Sequence, residues 1–317
     1  MINALRKRRG KRAPLGLGLA FAVALQLPAL ADTQCTLKRA GSLDLETESS
    51  GEVTIPVLVE NHAARFTIDT GAAFSLLATT FARSIGHEPR LLPNGSYFGM
   101  VGGYKLHDMV TVDSFAIGML HAGRTDFVAI PSEAISPGAM GILGSNVLAA
   151  YDVEIDFAAQ KFNIFSQDHC AGQVVYWTKS PFAEVPMTLG RDLHITIPVT
   201  LDGKQVRAIV DTGAYRSYMT LDNANDLFGL DENSQGLKKV GDTELNGVAA
   251  ATIYKYPFQS LTFQDVSVRN PDIEISKEGK RTPGMPQLIV GMGIIRQLHI
   301  YVAYGERTLY LTPASAH

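Results

Sequence analysis

Val53-Thr54-Ile55-Pro56-Val57, then Arg65, then Asp69-Thr70-Gly71-Ala72 is the stretch that decides the fold, because the chain writes it twice. At an offset of 142 residues stand Ile195-Thr196-Ile197-Pro198-Val199, Arg207 and Asp211-Thr212-Gly213-Ala214. Aligned without a gap from Val53 to Ile85, 11 of 33 positions are identical. A second match lies at an offset of 147, with Ile142-Leu143-Gly144 over Ile289-Val290-Gly291 and Tyr151–Ile164 over Leu298–Leu311. The unit exceeds 100 residues, so this is a duplicated domain and not a solenoid.

Each half reads as β-rich. Val53–Val59 and Ile195–Leu201 alternate like half-buried strands. Asp202-Gly203 is a strong hairpin turn signal, and Glu60-Asn61 fills the same place in the first half. The returning strands, Arg65–Ile68 and Arg207–Val210, run directly into the Asp-Thr-Gly triplets. Short helices are expected near Thr79–Ile85 and Leu221–Phe228, and again at Ser145–Ala149 and Met292–Arg296. Closing strands are expected at Val153–Phe157, Lys161–Phe165, Ile300–Tyr304 and Thr308–Leu311. The polar, irregular composition around Asp168–Pro181 marks a linker.

A strand that ends in Asp-Thr-Gly is a turn displaying a carboxylate. A single copy says little, since Asp and Gly favour turns anyway. Two copies at matching places in a duplicated unit put one carboxylate in each half, related by an approximate two-fold axis. Two carboxylates brought face to face cannot both ionise at neutral pH, so they share a proton. Such a pair offers one base to activate a water and one acid to protonate the attacked carbonyl oxygen.

These residues resemble the aspartic proteases of the retropepsin-like class, fused in tandem so that one polypeptide supplies both halves, as in pepsin. The resemblance rests on Asp69-Thr70-Gly71-Ala72 with Ile142-Leu143-Gly144, and on Asp211-Thr212-Gly213-Ala214 with Ile289-Val290-Gly291, and spans nearly all of residues 52–313. It implies an all-β fold of two homologous lobes with a few short helices. It further implies an aspartic endopeptidase in which Asp69 and Asp211 form the dyad, Thr70 and Thr212 bond across the two-fold axis, and Gly71 and Gly213 occupy tight turns beside the water. Ala72 and Ala214 stand where pepsin-like enzymes carry Ser or Thr. Losing that hydroxyl donor raises a carboxyl pKa, which implies activity from mild acid toward neutral pH. The arginine that braces the retroviral dimer is absent from Gly144-Ser145-Asn146 and Gly291-Met292-Gly293.

The resemblance also asks for a flap. Phe98-Gly99-Met100-Val101-Gly102-Gly103-Tyr104 is glycine-rich with flanking aromatics, and Gly102 and Gly103 suit close approach to substrate and motion. Tyr97 and Tyr104 both remain open as a flap tyrosine. Leu245-Asn246-Gly247-Val248 is a plainer hairpin tip in the second half. Substrate would lie extended between the lobes, and the chain would act as a monomer because both aspartates belong to it. The competing reading is a non-catalytic module that holds peptide in a protease-like fold without cutting it.

Composition narrows the field. The chain has 317 residues, 46% apolar and 19% charged, enough for a sizeable core and far from disorder. Arg6, Lys7, Arg8, Arg9, Lys11 and Arg12 precede an apolar run from Leu15 to Leu27 and the small residues Pro28-Ala29-Leu30-Ala31. That is the pattern of a secretory signal cleaved after Ala31, although an uncleaved anchor would share its apolar run. Residues 32–317 hold 22 basic against 31 acidic side chains, so the body is acidic and offers no footprint for nucleic acid. The expected organisation is a signal peptide at 1–31, an N-terminal segment at 32–51, a first lobe at 52–167, a linker at 168–185 and a second lobe at 186–317. Export to a bacterial periplasm, or secretion, is expected. In an oxidising compartment Cys35 and Cys170, the only two cysteines, read as a disulfide, with two separate buried thiols as the alternative.

Other chemistries lack their residues. Eight histidines are scattered without zinc-ligand spacing, so no metal or other cofactor is expected, and most are read as surface or packing residues. There is no Gly-x-Ser-x-Gly elbow and no phosphate loop. Gly291-Met292-Gly293 begins like a dinucleotide fingerprint but lacks its third glycine. Trp177, the only tryptophan, is read as a packing anchor between the halves.

Overall fold

The computed structural model describes residues 36–48, 51–100, 105–245, 248–278 and 284–314, all within one compact unit spanning 35–317. The expected two-lobed all-β architecture is what the chain adopts: two ten-stranded sheets, one per half, and a six-stranded sheet that both halves build together. Cys35, the flap-tip residues Gly102, Gly103 and Tyr104, and the second hairpin tip at Asn246-Gly247 lie outside the described residues, as does the expected leader.

Alternation explains the first hairpin of each lobe. In Ile195–Leu201, Ile195, Ile197, Val199 and Leu201 are buried while Pro198 is exposed, the period of a half-buried strand. Its partner Lys204–Val210 returns through Asp202 and Gly203, both at positive φ (43° and 80°), as a two-residue hairpin turn requires. The first half makes the same turn with Glu60 and Asn61 at φ 50° and 62°. Glu60 is a poor residue for that conformation. Its carboxylate is held by the backbone N–H groups of Asp113 and Ser114 and lies 3.2 Å from His87 Nε2.

The strands then run in one order in both lobes. Gly141–Leu143 runs parallel to His62–Ile68 and antiparallel to Leu76–Ala78. Leu288–Val290 likewise runs parallel to Lys204–Val210 and antiparallel to Ser217–Thr220. The apolar strand of the later motif therefore lies beside the strand that leads to each aspartate. The helices form where the sequence placed them, at Thr79–Ser84, Ser145–Leu148, Leu221–Phe228 and Met292–Ile295. Leu221–Phe228 has both its signals: Thr220 Oγ1 accepts from Asn223 N (3.2 Å), and Gly229 closes it at φ 71°.

The closing strands do something the repeat did not reveal. Asp152–Asp156 pairs antiparallel with Leu298–Ala303 of the other half, merging the two terminal hairpins into one sheet. Arg39–Asp44 and Ala183–Pro186, for which no strand was expected, form its two edges. Val153, Ile155, Ile300 and Val302 are buried in the main core. The alternate positions carry Asp152, Glu154, His299 and Tyr301, also buried and covered by the segment around Val174 and Trp177. Trp177 stacks on the His299 ring at 4.3 Å and bonds Thr312 through its indole N–H.

Two histidines make this polar layer tolerable. His169 Nε2 lies 2.6 Å from Asp152 Oδ2 and its Nδ1 3.2 Å from Glu306 Oε1. His299 Nε2 lies 2.9 Å from Glu154 Oε1, whose other oxygen accepts from Tyr176. Burial raises the Asp152 pKa despite its histidine partner. Burial opposes charge on His169, but hydrogen bonds to Asp152 and the Cys170 carbonyl, with the Asp152 and Glu306 charges, outweigh it and raise that pKa. Both shifts have the same sign for stability. A group raised on folding contributes fully below its unfolded pKa and loses that contribution as pH rises through the folded one. Thermal stability should therefore fall as pH climbs above about 6.5, the ordinary histidine value. In His169→Gln, which cannot titrate, that slope should be shallower and the melting temperature at pH 5.5 lower; parallel slopes from pH 5.5 to 8.5 would remove His169 as the cause.

Candidate active site

Each triplet is held by the strand beside it. Asp69 N donates to Leu143 O and Asp211 N to Val290 O, both at 3.0 Å. The carboxylates then fold back on their own loops. Gly71 N donates to Asp69 Oδ1 at 2.8 Å, while Gly213 N and Ala214 N donate to Asp211 Oδ1 at 2.9 and 3.1 Å. These are local side-chain turns of the kind Asp favours. Behind them, Gly144 N donates to Ser75 Oγ and Gly291 N to Ser217 Oγ. A Cβ on Gly144 would press on Ala72 and Phe74 backbone, and one on Gly291 on Ala214 and Arg216 backbone. The hydrophobic-hydrophobic-Gly motif thus ends in glycine because two backbones meet there. In the first half Asn146 Oδ1 also accepts from Ser75 N (2.7 Å) and Ser75 Oγ (2.9 Å).

The threonines lock the halves together. Thr70 N donates to Thr212 Oγ1 (3.0 Å) and Thr212 N to Thr70 Oγ1 (3.1 Å). Each hydroxyl passes its own hydrogen across the axis, Thr70 to Val210 O and Thr212 to Ile68 O, both at 2.7 Å. Each threonine is 1% exposed, so water cannot substitute for a lost partner. Thr70→Val keeps the shape but orphans Thr212 N and Val210 O. At about 1–3 kcal/mol per buried unsatisfied group, it should destabilise the chain by about 2–6 kcal/mol. Denaturant unfolding measures this; a loss under about 0.5 kcal/mol, the range of an ordinary surface change, would mean the lock is not needed.

The lock brings the two aspartates face to face. A Cβ built on Gly71 would overlap the Asp211 carboxyl, and one on Gly213 would overlap that of Asp69. Neither glycine has a positive φ, so the opposing carboxylate excludes a side chain here, not the turn geometry expected from sequence. Both aspartates are half-buried. Desolvation and then the Asp211 charge push Asp69 well above the ordinary carboxylate range. Desolvation also raises Asp211, opposed by the Gly213 and Ala214 N–H groups, a hydrogen bond from Asp69 and the nearby His194. Both carboxyls are held above the ordinary range by burial, and at Asp69 the Asp211 charge adds to it.

A cavity of about 480 Å³ opens from Asp69, walled by Phe74, Leu76, Phe98, Met100, Leu106, Val128 and Ile142 of the first half and reached by Asp192 and His194 of the second. Phe98–Gly99 pairs antiparallel with Lys105–Leu106, and Phe98, Gly99 and Leu106 line this cavity. Tyr97 lines the cavity, with Lys105 Nζ 4.3 Å from its ring centre. In the second half Lys238–Leu245 and Val248–Lys255 form the longer hairpin.

Several contributors were not singled out from sequence. His194, bound to Asp192 at 2.9 Å, was grouped with surface or packing histidines. Its signal was positional: it stands in the turn before Ile195–Leu201, at the place of Glu52 in the repeat, so the two halves differ in charge there. Phe74, which lines the cavity, comes after the conspicuous triplet and reads as an ordinary loop residue. Among the described residues no group of three or more His, Cys, Asp or Glu is arranged to hold a metal ion.

Comparison with known protein families agrees with the duplication. Residues 55–150 match the gag-polyprotein aspartyl protease family model, and residues 197–294 match the aspartyl protease family model. The two matches begin 142 residues apart, the offset of the repeat itself. No curated protein matches the chain.

Proposed function

We propose that this chain, which belongs to the retropepsin-like aspartyl proteases and carries two of their domains in tandem, is an endopeptidase in which Asp69 and Asp211 act on one water. The observation that supports this reading best is the reciprocal fit of each carboxylate against the glycine of the other half. Asp211, as the anion, takes a proton from the water, whose oxygen attacks the peptide carbon. Asp69 gives its proton to the carbonyl oxygen, so the intermediate is a neutral gem-diol and the dyad again holds one proton. Collapse moves a diol proton to a carboxylate and the held proton to the departing nitrogen, leaving an acid and an amine. Threonine and backbone donors keep the dyad in register, and the flap hairpin excludes bulk water.

The ionic states set the working range. Activity needs one carboxylate charged and one neutral, so the rate falls at low pH as the anion is lost and at high pH as the acid is lost. Both aspartates are raised, and alanine at positions 72 and 214 withholds a hydroxyl donor, so the range extends from mild acid toward neutral. We further infer export by the N-terminal leader to a periplasmic or extracellular space, a Cys35–Cys170 disulfide there, and action as a monomer. The test is cleavage of a mixed peptide library by the wild-type chain and by Asp69→Asn and Asp211→Asn. Binding of peptides without any cutting would instead favour a non-catalytic holding module.

A further inference from the structure

The two sides of the cleft are not chemically equivalent, although the fold makes them geometrically so. Phe74 and Arg216 occupy the same place in the repeat, as do Ala73 and Tyr215. On the first side Phe74 is 47% exposed, meets the flap ring of Phe98 at 4.6 Å and opens on the apolar cavity beside Asp69. On the second side Tyr215 is 45% exposed and carries two guanidinium groups, Arg216 and Arg296, at 5.6 and 5.7 Å from its ring centre. Gly51, from the segment leading into the first lobe, packs so closely on the Tyr215 ring that a side chain there would overlap it. Tyr215 therefore stands where the halves meet.

A second cavity, of about 450 Å³, is lined by Tyr215, Arg216, Asp272, Glu274 and Arg296. Its lining holds two guanidiniums and two carboxylates, and Lys255, outside the lining, adds a third cation paired to one of those carboxylates. Arg216 pairs with Glu274 and Lys255 with Asp272. Arg296 donates through Nε to its own helix at Met292 O (3.0 Å) and, among the described residues, has no acidic partner. An aromatic platform under a guanidinium without an acidic partner suits a carboxylate: the ring orients the cation, and a guanidinium has further N–H donors besides the Nε one. The equivalent of Arg296 in the first half is Ala149, so that side has no such charge.

We propose that Tyr215, Arg216 and Arg296 form a subsite for an acidic side chain of the peptide, across the scissile bond from a bulky apolar side chain seated at Phe74. The inference rests on the endopeptidase reading and adds its substrate class. Because the scissile bond lies on the axis relating the carboxylates, residues related by the repeat face substrate positions equally far from it on opposite sides. The preferred sequence therefore has an aromatic or long aliphatic residue on one side and Asp or Glu at the same distance on the other.

The test uses the full chain and an equimolar library of synthetic peptides with all residues varied around a central stretch, with cut sites read by mass spectrometry. An exposed charge pair of roughly 0.2–1 kcal/mol corresponds to an enrichment of Asp and Glu of up to about fivefold at that position. It should shrink when ionic strength rises from about 0.05 M to 0.5 M, where the screening length becomes a few ångströms. Arg296→Lys should keep the enrichment, while Arg296→Glu should move cutting to sites with Lys or Arg there. Cutting without an acidic preference, or a preference unchanged in Arg296→Glu, overturns this subsite and leaves the endopeptidase intact. No cutting by the wild-type chain removes both.

Discussion

Asp69→Asn and Asp211→Asn are each expected to lower peptide hydrolysis by about 10⁴-fold, the upper range for removing a general acid or base. Asparagine keeps the oxygen that accepts from Gly71 N or Gly213 N and leaves the threonine lock untouched. The loss should therefore come without unfolding. A second readout separates chemistry from damage. Both aspartates have folded pKa values above their ordinary one, so the pair's contribution to stability is complete below about pH 4 and declines as pH rises through the raised values. An uncharged asparagine removes the like-charge repulsion. Each variant should melt at or above the wild-type temperature, and the gap should widen from pH 5 to pH 8. Equal residual cutting by all three proteins would falsify the dyad. Variants that are inactive but melt far below wild type would show a structural role instead.

The second large effect belongs to glycine. Gly71→Ala and Gly213→Ala each place a methyl group against the carboxyl of the opposite half. The loop cannot yield easily, because both sides of it are tied by Thr70 and Thr212. A shift of about 1 Å in either aspartate is enough to cost on the order of 10²-fold in turnover, and overpacking adds roughly 1–3 kcal/mol of destabilisation. Gly203→Ala is the control. That residue sits at φ 80° with open space around its Cβ position, so alanine there strains the hairpin turn but displaces no carboxylate. Turnover and denaturant midpoint measured together distinguish the cases: the active-site pair should lose rate and stability, the hairpin variant stability alone. Full turnover in Gly71→Ala would mean the two carboxyls do not work at this separation.

Much of this site was legible because it is local and doubled. Asp-Thr-Gly-Ala needs no distant partner to be recognised, and the repeat places its second copy. Leu221–Phe228 was equally readable, since Thr220 and Gly229 write both ends of the helix in adjacent residues. Where the sequence reading stopped, the cause was distance along the chain. Arg39–Asp44 is a strand because Lys161–Phe165 offers an edge more than a hundred residues away, and its own pattern gives no clear alternation. His194 matters because folding carries its turn to the cavity at Asp69, which a scattered histidine cannot announce.

From sequence alone came the duplication and the two carboxylates at their strand ends, because turn preferences act between neighbours in the chain. The need for glycine at 71 and 213 comes instead from the carboxyl of the opposite half. Tertiary structure decided the rest. It joined the closing hairpins into one sheet over a buried layer of carboxylates and histidines, and by burying Asp69 and Asp211 it raised both of their pKa values. It also set Phe98 against Phe74, and Arg216 and Arg296 against the ring of Tyr215. Burial, through-space charge and cross-axis hydrogen bonds depend on which surfaces meet, and residue order does not contain that until the chain has folded.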